Sequence, residues 1–323
     1  MEKTYNVLIV GAGRIGAFLD APQTQSILTH AHAYSNNKKF KLEGFVDPDR
    51  DRREQAAGIW KCAAFSSVEE AFAIKKAFDV VCVAAPDDAH FEILMGLAKH
   101  PLKIVVSEKP LCKKLSEALM LRQVYSHNNT PILLNYTRRF IPEYSVLKNR
   151  IEAGEFGSFI EGSGLYSKGF LHNASHMIDL LRFLIGEVSY EAVFDQVHDF
   201  SDADPSFSCI LRIGRHSPFI IQAIDQRCYS LFECDLLFQK ARVLVKERGS
   251  IIEIYRLSED AKFPGYVALA LTERMVVSFD HVLAACAENV CEYLESGMPL
   301  KCTLEEGVKL AELYDTIPFY SEK

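Results

Sequence analysis

Residues 11–16 read Gly-Ala-Gly-Arg-Ile-Gly and follow the apolar run Val-Leu-Ile-Val at 7–10. Three glycines at this spacing suit a dinucleotide. Gly11 permits a tight turn, Gly13 lets the backbone approach a pyrophosphate, and Gly16 lets helix and strand pack, while a helix opening here offers its first N–H groups to the anion. Arg14 and Ile15 stand inside the loop and are assigned to the cofactor with the glycines. Asp47 ends a second apolar run at 41–46, where a carboxylate accepts both hydroxyls of an adenosine ribose and repels a 2′-phosphate. NAD is therefore favoured; NADP remains open because Arg14 and Arg50 lie nearby in the chain.

Two further clusters have chemistry. Glu108-Lys109-Pro110 follows the run at 104–106, and the proline restricts Lys109 to extended backbone and permits a cis bond, so the amine is aimed rigidly. Gly169 to Leu181 holds His172, Asn173, His176 and Asp179. Asn173 is read as the N-cap and Gly186 as the stop of a helix over 173–185 whose apolar stripe is Ile178, Leu181 and Ile185. That helix sets His172 and His176 one turn apart on another face. A proton-transfer site, a polar surface and a His-x3-His metal pair with Asp179 are three readings of this pair. HExxH is absent and no further ligand is adjacent, so metal ranks last and none is assigned.

These residues need rigid supports, and the first third of the chain supplies the pattern of one. Apolar runs at 7–10, 41–46, 79–84, 104–106 and 132–135 alternate with helical stretches at about 88–99 and 116–127, which reads as an α/β domain with a doubly wound parallel sheet. Beyond about 150 come short β runs at 159–167, 188–197, 208–213, 219–224, 231–238, 241–245 and 251–255. Gly249 offers the positive φ of a short hairpin, so this second, α+β domain should carry a large, mostly antiparallel open sheet. Domain limits are set at 1–125, with a return strand to about 140, and 126–323. Helices near 173–185, 281–296 and 304–315 cover one face of that sheet, and the other face is expected to bury itself in a homodimer or homotetramer.

Composition excludes several function classes. Of 323 residues 49% are hydrophobic and 24% charged, and the net charge of -7 with scattered basic residues excludes a nucleic-acid footprint or an anionic membrane surface. No apolar run reaches about eighteen residues, and the first strand begins too early to leave room for a signal peptide, so a cytoplasmic protein is expected. Nine cysteines without a CxxC pair read as reduced, buried thiols.

Taken together, the glycine motif at 11–16, Asp47, Ala85-Pro86 with His90, Glu108-Lys109-Pro110, Asn135-Tyr-Thr-Arg138-Arg139-Phe and His176-Met-Ile-Asp179 resemble the glucose–fructose oxidoreductase/inositol dehydrogenase/rhizopine-catabolism (Gfo/Idh/MocA) family. The resemblance spans nearly the whole chain, to the closing stretch from Leu304. It implies hydride transfer between a nicotinamide and a hydroxyl or keto group of a sugar, nucleotide sugar or polyol. Ala85, Pro86, His90 and Glu108 would lie at the cofactor, and Lys109, His176 and His172 at the reacting carbon, with Arg139 and Asn173 binding substrate. Histidine, with an ordinary pKa near 6.5, is the more natural base, which leaves Lys109 as an orienting donor or relay. Polyol-oxidising members often carry an aspartate where this chain has His172, which points toward a differently shaped substrate such as a nucleotide-linked sugar. The other functions compatible with this fold are a non-catalytic dinucleotide-binding regulator and an imine or tetrapyrrole reductase. His30 and His32 are read as structural.

Overall fold

Strands β1 (Tyr5–Val10), β2 (Phe40–Val46), β3 (Ala63–Phe65), β4 (Val80–Val83), β5 (Ile104–Ser107) and β6 (Ile132–Leu134) form one sheet in the computed structural model, which describes residues 3–75, 77–214 and 216–321. Its order is β3-β2-β1-β4-β5-β6 and every neighbouring pair is parallel. The runs Val-Val-Cys-Val and Ile-Val-Val-Ser are buried at every position, as strands covered on both faces require. Between the strands lie α1 (His30–Asn36), α2 (Arg50–Trp60), α3 (Val68–Ile74), α4 (His90–Leu97) and α5 (Leu115–Asn128). Thr29, Asp49 and Ser67 cap the first three through side-chain oxygens. The strand order reverses between β1 and β4, the switch point at which open α/β sheets bind ligands.

The expected helix does not run on from the glycine loop. Arg14–Phe18 form a single wide turn, closed by Leu19 N–H to the Arg14 carbonyl at 2.9 Å, and regular helix resumes only at His30. Pro22 cannot continue a helix, and Asp20 organises the intervening segment instead. Its carboxylate accepts the amides of Leu28 (2.5 Å) and Thr29 (3.3 Å) and the Thr29 hydroxyl (2.5 Å), and its Oδ2 lies 2.9 Å from His32 Nδ1.

After α6 (Pro142–Glu152) a second sheet begins with β7 (Phe159–Tyr166), followed by α7 (Ser175–Leu184) and then β8 (Val188–Ser201), β9 (Asp204–Ile213), β10 (Ser217–Ala223), β11 (Phe232–Phe238), β12 (Ala241–Lys246), β13 (Ile251–Glu259) and β14 (Val267–Val276). The order is β14-β13-β12-β11-β7-β10-β9-β8, antiparallel except for β7 with β10. All seven expected strands are present. The eighth, β14, escaped because its large apolar residues do not mark a core: Val267, Leu269 and Leu271 are 70%, 43% and 50% exposed on an edge strand. The turn between β12 and β13 uses positive φ at Gly249 as expected, and also at Glu247 and Arg248. Gly164 on β7 has no room for a side chain because Met177 of α7 lies against it, which places α7 on the inner face of the sheet.

The chain divides differently from the expected border at 125. One unit runs to Phe140 and also takes Asp280–Asp315; the other is Ile141–Phe279 with the residues from Thr316 onward, including α10 (Pro318–Ser321). Helices α8 (Val282–Ser296) and α9 (Leu304–Asp315) therefore belong to the first unit, not to the second sheet. α8 packs on α1, and α9 on α5 and β6, with Gly307 so close that a Cβ would lie 2.8 Å from Leu111. An apolar stripe shows that a helix must be covered without saying by which sheet, which is why sequence reading misplaced this pair. Among the described residues no helix is long and apolar enough to cross a membrane.

Candidate active site

In the first unit the three glycines have separable duties. At Gly11 φ is +102°, and a Cβ would lie 2.5 Å from the Ala84 carbonyl oxygen; at Gly16 a Cβ would run into the Gly11 carbonyl. Both are demanded by the protein itself. Gly13 has extended backbone, and a Cβ there meets nothing within 4 Å. Among the described residues nothing crowds position 13, which leaves room for a ligand to approach the loop.

Beside the loop lies a cavity of about 530 Å³ whose lining includes Gly11, Asp47, Arg52, Ala85, Pro86 and Glu92. Asp47 is buried at its rim, with Oδ2 accepting the Ala12 amide and Oδ1 the Asp49 amide, both at 3.0 Å, and Arg52 Nη1 at 3.6 Å. Each carboxylate oxygen has two lone pairs, so these bonds hold the group in place and leave acceptor capacity for ribose hydroxyls. Arg50 is exposed and its Nε donates to Glu54, and Arg14 is exposed. A glycine loop with open space at Gly13, a carboxylate at the end of β2 and a cavity lined by Gly11 and Asp47 fit a dinucleotide.

His90 differs from its expected place at the nicotinamide. It is fully buried, with Nδ1 2.7 Å from the Pro110 carbonyl and Nε2 3.0 Å from the Ala85 carbonyl, so the imidazole ties two loops together and presents neither nitrogen to a ligand. Between those loops sits the Lys109–Pro110 bond, which is cis. Glu108, also assigned to the cofactor, has Oε1 at 2.8 Å from His30 Nε2 and 2.7 Å from Asn135 Nδ2. Burial raises its pKa, but the His30 bond and charge, the Asn135 bond and the Lys109 charge outweigh that and hold the carboxyl below its ordinary range. Sequence reading left His30 as structural, and nothing in its local pattern signals a partner 78 residues away. Arg138 and Arg139 lie in the turn Thr137–Phe140, buried rather than on the surface, and Arg139 donates to the Lys301 carbonyl at 3.3 Å.

In the second unit, His172 and Asn173 lie in a wide turn, Phe170–Ala174, that leads into α7 and His176. Asn173 is not the helix cap. Its amide donates to the Ser167 carbonyl at 2.6 Å, and the residue before α7 is Ala174. The cap-like partner comes instead from β9: Asp204 accepts the amides of Leu171 (2.8 Å) and His172 (2.9 Å) and the Tyr320 hydroxyl (2.9 Å). Burial pushes the Asp204 carboxyl above its ordinary range against the pull of those bonds. Gly169, at φ +79°, allows Asp204 this approach, and Asp199 holds the Lys168 amide at 2.8 Å. The His172 ring stacks on Phe200 at 4.7 Å. Asp179 is buried, and among the described residues no group of three His, Cys, Asp or Glu side chains is placed to hold a metal. Asp199 and Asp204 were not legible beforehand because they reach the turn from a hairpin about thirty residues on.

Comparison with known proteins points to the same dinucleotide-binding fold. The family described as "Oxidoreductase family, NAD-binding Rossmann fold" matches residues 5–136. Inositol 2-dehydrogenase of Corynebacterium glutamicum (strain R) is 29% identical over 237 residues, which are 68% of this chain; the chain spans 64% of that relative's length. Inositol 2-dehydrogenase of Rhizobium meliloti is 23% identical over 334 aligned positions, covering 95% of this chain and 94% of the relative. The crystal structure of the WlbA dehydrogenase from Bordetella pertussis, in complex with NADH and UDP-GlcNAcA, superposes with a TM-score of 0.76 at 17% identity over 97% of this chain and 96% of that one, a likeness of fold.

Proposed function

We propose that the chain is a member of the Gfo/Idh/MocA oxidoreductase family and an NAD-dependent dehydrogenase or reductase acting on a CH–OH group of a sugar, nucleotide sugar or polyol. The observation that carries this reading is the cavity bordered by Gly11 and Asp47, at a loop where Gly13 leaves open space. When bound, NAD accepts or returns the hydride. Gly11, Gly13 and Gly16, with Arg14 and Ile15, shape the loop for its pyrophosphate, and Asp47, Ala85 and Pro86 border the cavity for the rest. NAD is preferred because the Asp47 carboxylate repels a 2′-phosphate.

For the reaction, His176 is proposed as the base that takes the hydroxyl proton and Lys109 as an orienting donor or relay. Arg139, His172 and Asn173 orient the rest of the substrate. Asp204 grips the two amides at the head of the turn, so His172 is presented by a fixed backbone. His172→Ala is expected to lower kcat/KM several-fold through KM or turnover, with NADH affinity unchanged. Steady-state kinetics beside an NADH titration reads both, and an unchanged kcat/KM removes His172 from the site.

The second sheet also supports the proposed homodimer or homotetramer. Its face opposite α7 presents Ile220, Leu257, Leu269 and Leu271, each between 40% and 52% exposed. Exposed apolar side chains of this size on one face of an open sheet, three of them together on β13 and β14, favour burial against another copy.

A further inference from the structure

We infer that Trp60 and Asp20 are positioning residues that hold the wide turn Arg14–Phe18 in place, and so keep the glycine loop in the shape that leaves Gly13 open to the cofactor. The inference rests on the proposed dinucleotide site and names the side chains on which its shape depends.

A dinucleotide loop of this kind is stiffened by the helix that runs on from its last glycine. Here a turn of five residues, Arg14–Phe18, stands in for that helix. Forming one isolated turn fixes several backbone dihedrals for few hydrogen bonds, and helices shorter than about twelve residues are marginal without tertiary support. The Ala17 amide on the Gly13 carbonyl and the Leu19 amide on the Arg14 carbonyl, both at 2.9 Å, therefore need support from elsewhere. At Gly13 itself none comes from the described residues, since a Cβ there would meet nothing within 4 Å.

The support comes from α1 and α2, which both pack on the turn. Trp60 ends α2 and is buried, and its indole Nε1–H donates to the Ala17 carbonyl at 3.0 Å, a buried bond between residues 43 apart. A carbonyl at the end of a helix has no partner within it, and a buried indole N–H needs an acceptor, so each group satisfies the other.

Asp20 closes the circuit. It lies just past the turn with its side chain only 2% exposed, and a carboxylate so buried is tolerated only where donors replace water. Oδ2 takes the amides of Leu28 and Thr29 and faces His32 Nδ1, while Oδ1 takes the Thr29 hydroxyl. The His32 ring then lies against the Trp60 ring, with centroids 5.5 Å apart. The contacts thus run from Asp20 to His32 on α1, to Trp60 on α2, and back to Ala17 in the turn. Farther along the same segment, the Ile27 amide donates to the Asp280 carbonyl at 2.6 Å. A loop held in its binding shape before the ligand arrives spares the ligand the cost of ordering it, so loosening this circuit weakens binding even where the fold survives.

The test reads loop and ligand separately on the full chain. Hydrogen exchange of the free wild type, followed by mass spectrometry, should show the Ala17 and Leu19 amides protected with no cofactor added. Trp60→Phe keeps an aromatic ring and removes the N–H. Exchange at residues 14–19 is expected to rise, and NADH affinity, read by nicotinamide fluorescence, to fall, each by about tenfold, the scale of one buried hydrogen bond left unmade. Asp20→Ala leaves Trp60, the chain's single tryptophan, in place, and should produce the same two changes together with a red-shifted tryptophan emission. Wild-type NADH affinity in either folded variant, with only the thermal transition lowered, makes the role one of stability and overturns the inference. An unprotected turn in the free wild type overturns it too, even if neither variant folds. Protection lost in the variants, with no NADH binding by the wild type, sinks the dinucleotide reading and leaves the assignment of Trp60 and Asp20 to the turn standing.

Discussion

Gly13→Val is expected to fold like the wild type and to lose NADH. Extended backbone at position 13 accepts a β-branched residue, and a Cβ there meets no protein atom within 4 Å. Its two methyl groups instead occupy the space in which a pyrophosphate must touch the loop. Circular dichroism should show an unchanged thermal transition, while NADH titration shows affinity at least about tenfold weaker, equivalent to roughly 1.4 kcal/mol. Gly16→Ala is the contrast, because its methyl group meets the Gly11 carbonyl and the damage falls on the fold. Wild-type NADH affinity in folded Gly13→Val would mean that the loop is structural.

The second large effect concerns turnover. Lys109→Met and His176→Ala are each expected to lower kcat by about 10²–10⁴-fold on whichever polyol, sugar or nucleotide sugar supports turnover, with NADH affinity preserved. The two losses should differ in kind. Imidazole added to His176→Ala is expected to replace a missing base and restore part of the rate, and to do nothing for Lys109→Met, which lacks an orienting donor. If His176→Ala keeps wild-type turnover while Lys109→Met abolishes it, the roles are reversed and the base is the lysine.

Much of the frame was legible because it rests on local periodicity. Continuous apolar runs such as residues 80–83 mark strands buried on both faces, and the glycine spacing after β1 marks the turn that follows. What was not legible depends on partners far apart in the chain. Nothing near residue 20 announces that Asp20 will replace the first helix with a wide turn and a gathered segment. Nothing in the stripes of α8 and α9 says that they return to the first unit. β14 is an exposed edge, so the burial pattern that identifies strands is missing from it.

The candidate site divides along the same line. Residue types chosen for chemistry, including Asp47, Lys109, His172 and His176, come from motif and order, and their roles stay with the proposal. Their supports were not legible there: His30 for Glu108, Asp204 for the turn that carries His172, and the Pro110 carbonyl at His90 lie twenty or more residues away from the group they hold. Asn173 shows the limit well. Its type and place satisfied the rule for a helix cap, but its amide closes a loop with Ser167, and a carboxylate from another strand took the capping duty.

Titration of the wild-type chain with NADH and with NADPH, following nicotinamide fluorescence, tests the central claim most directly. Saturable binding of NADH, tighter than that of NADPH, is the predicted result. Binding of neither contradicts the dehydrogenase assignment, and tighter binding of NADPH contradicts the role given to Asp47.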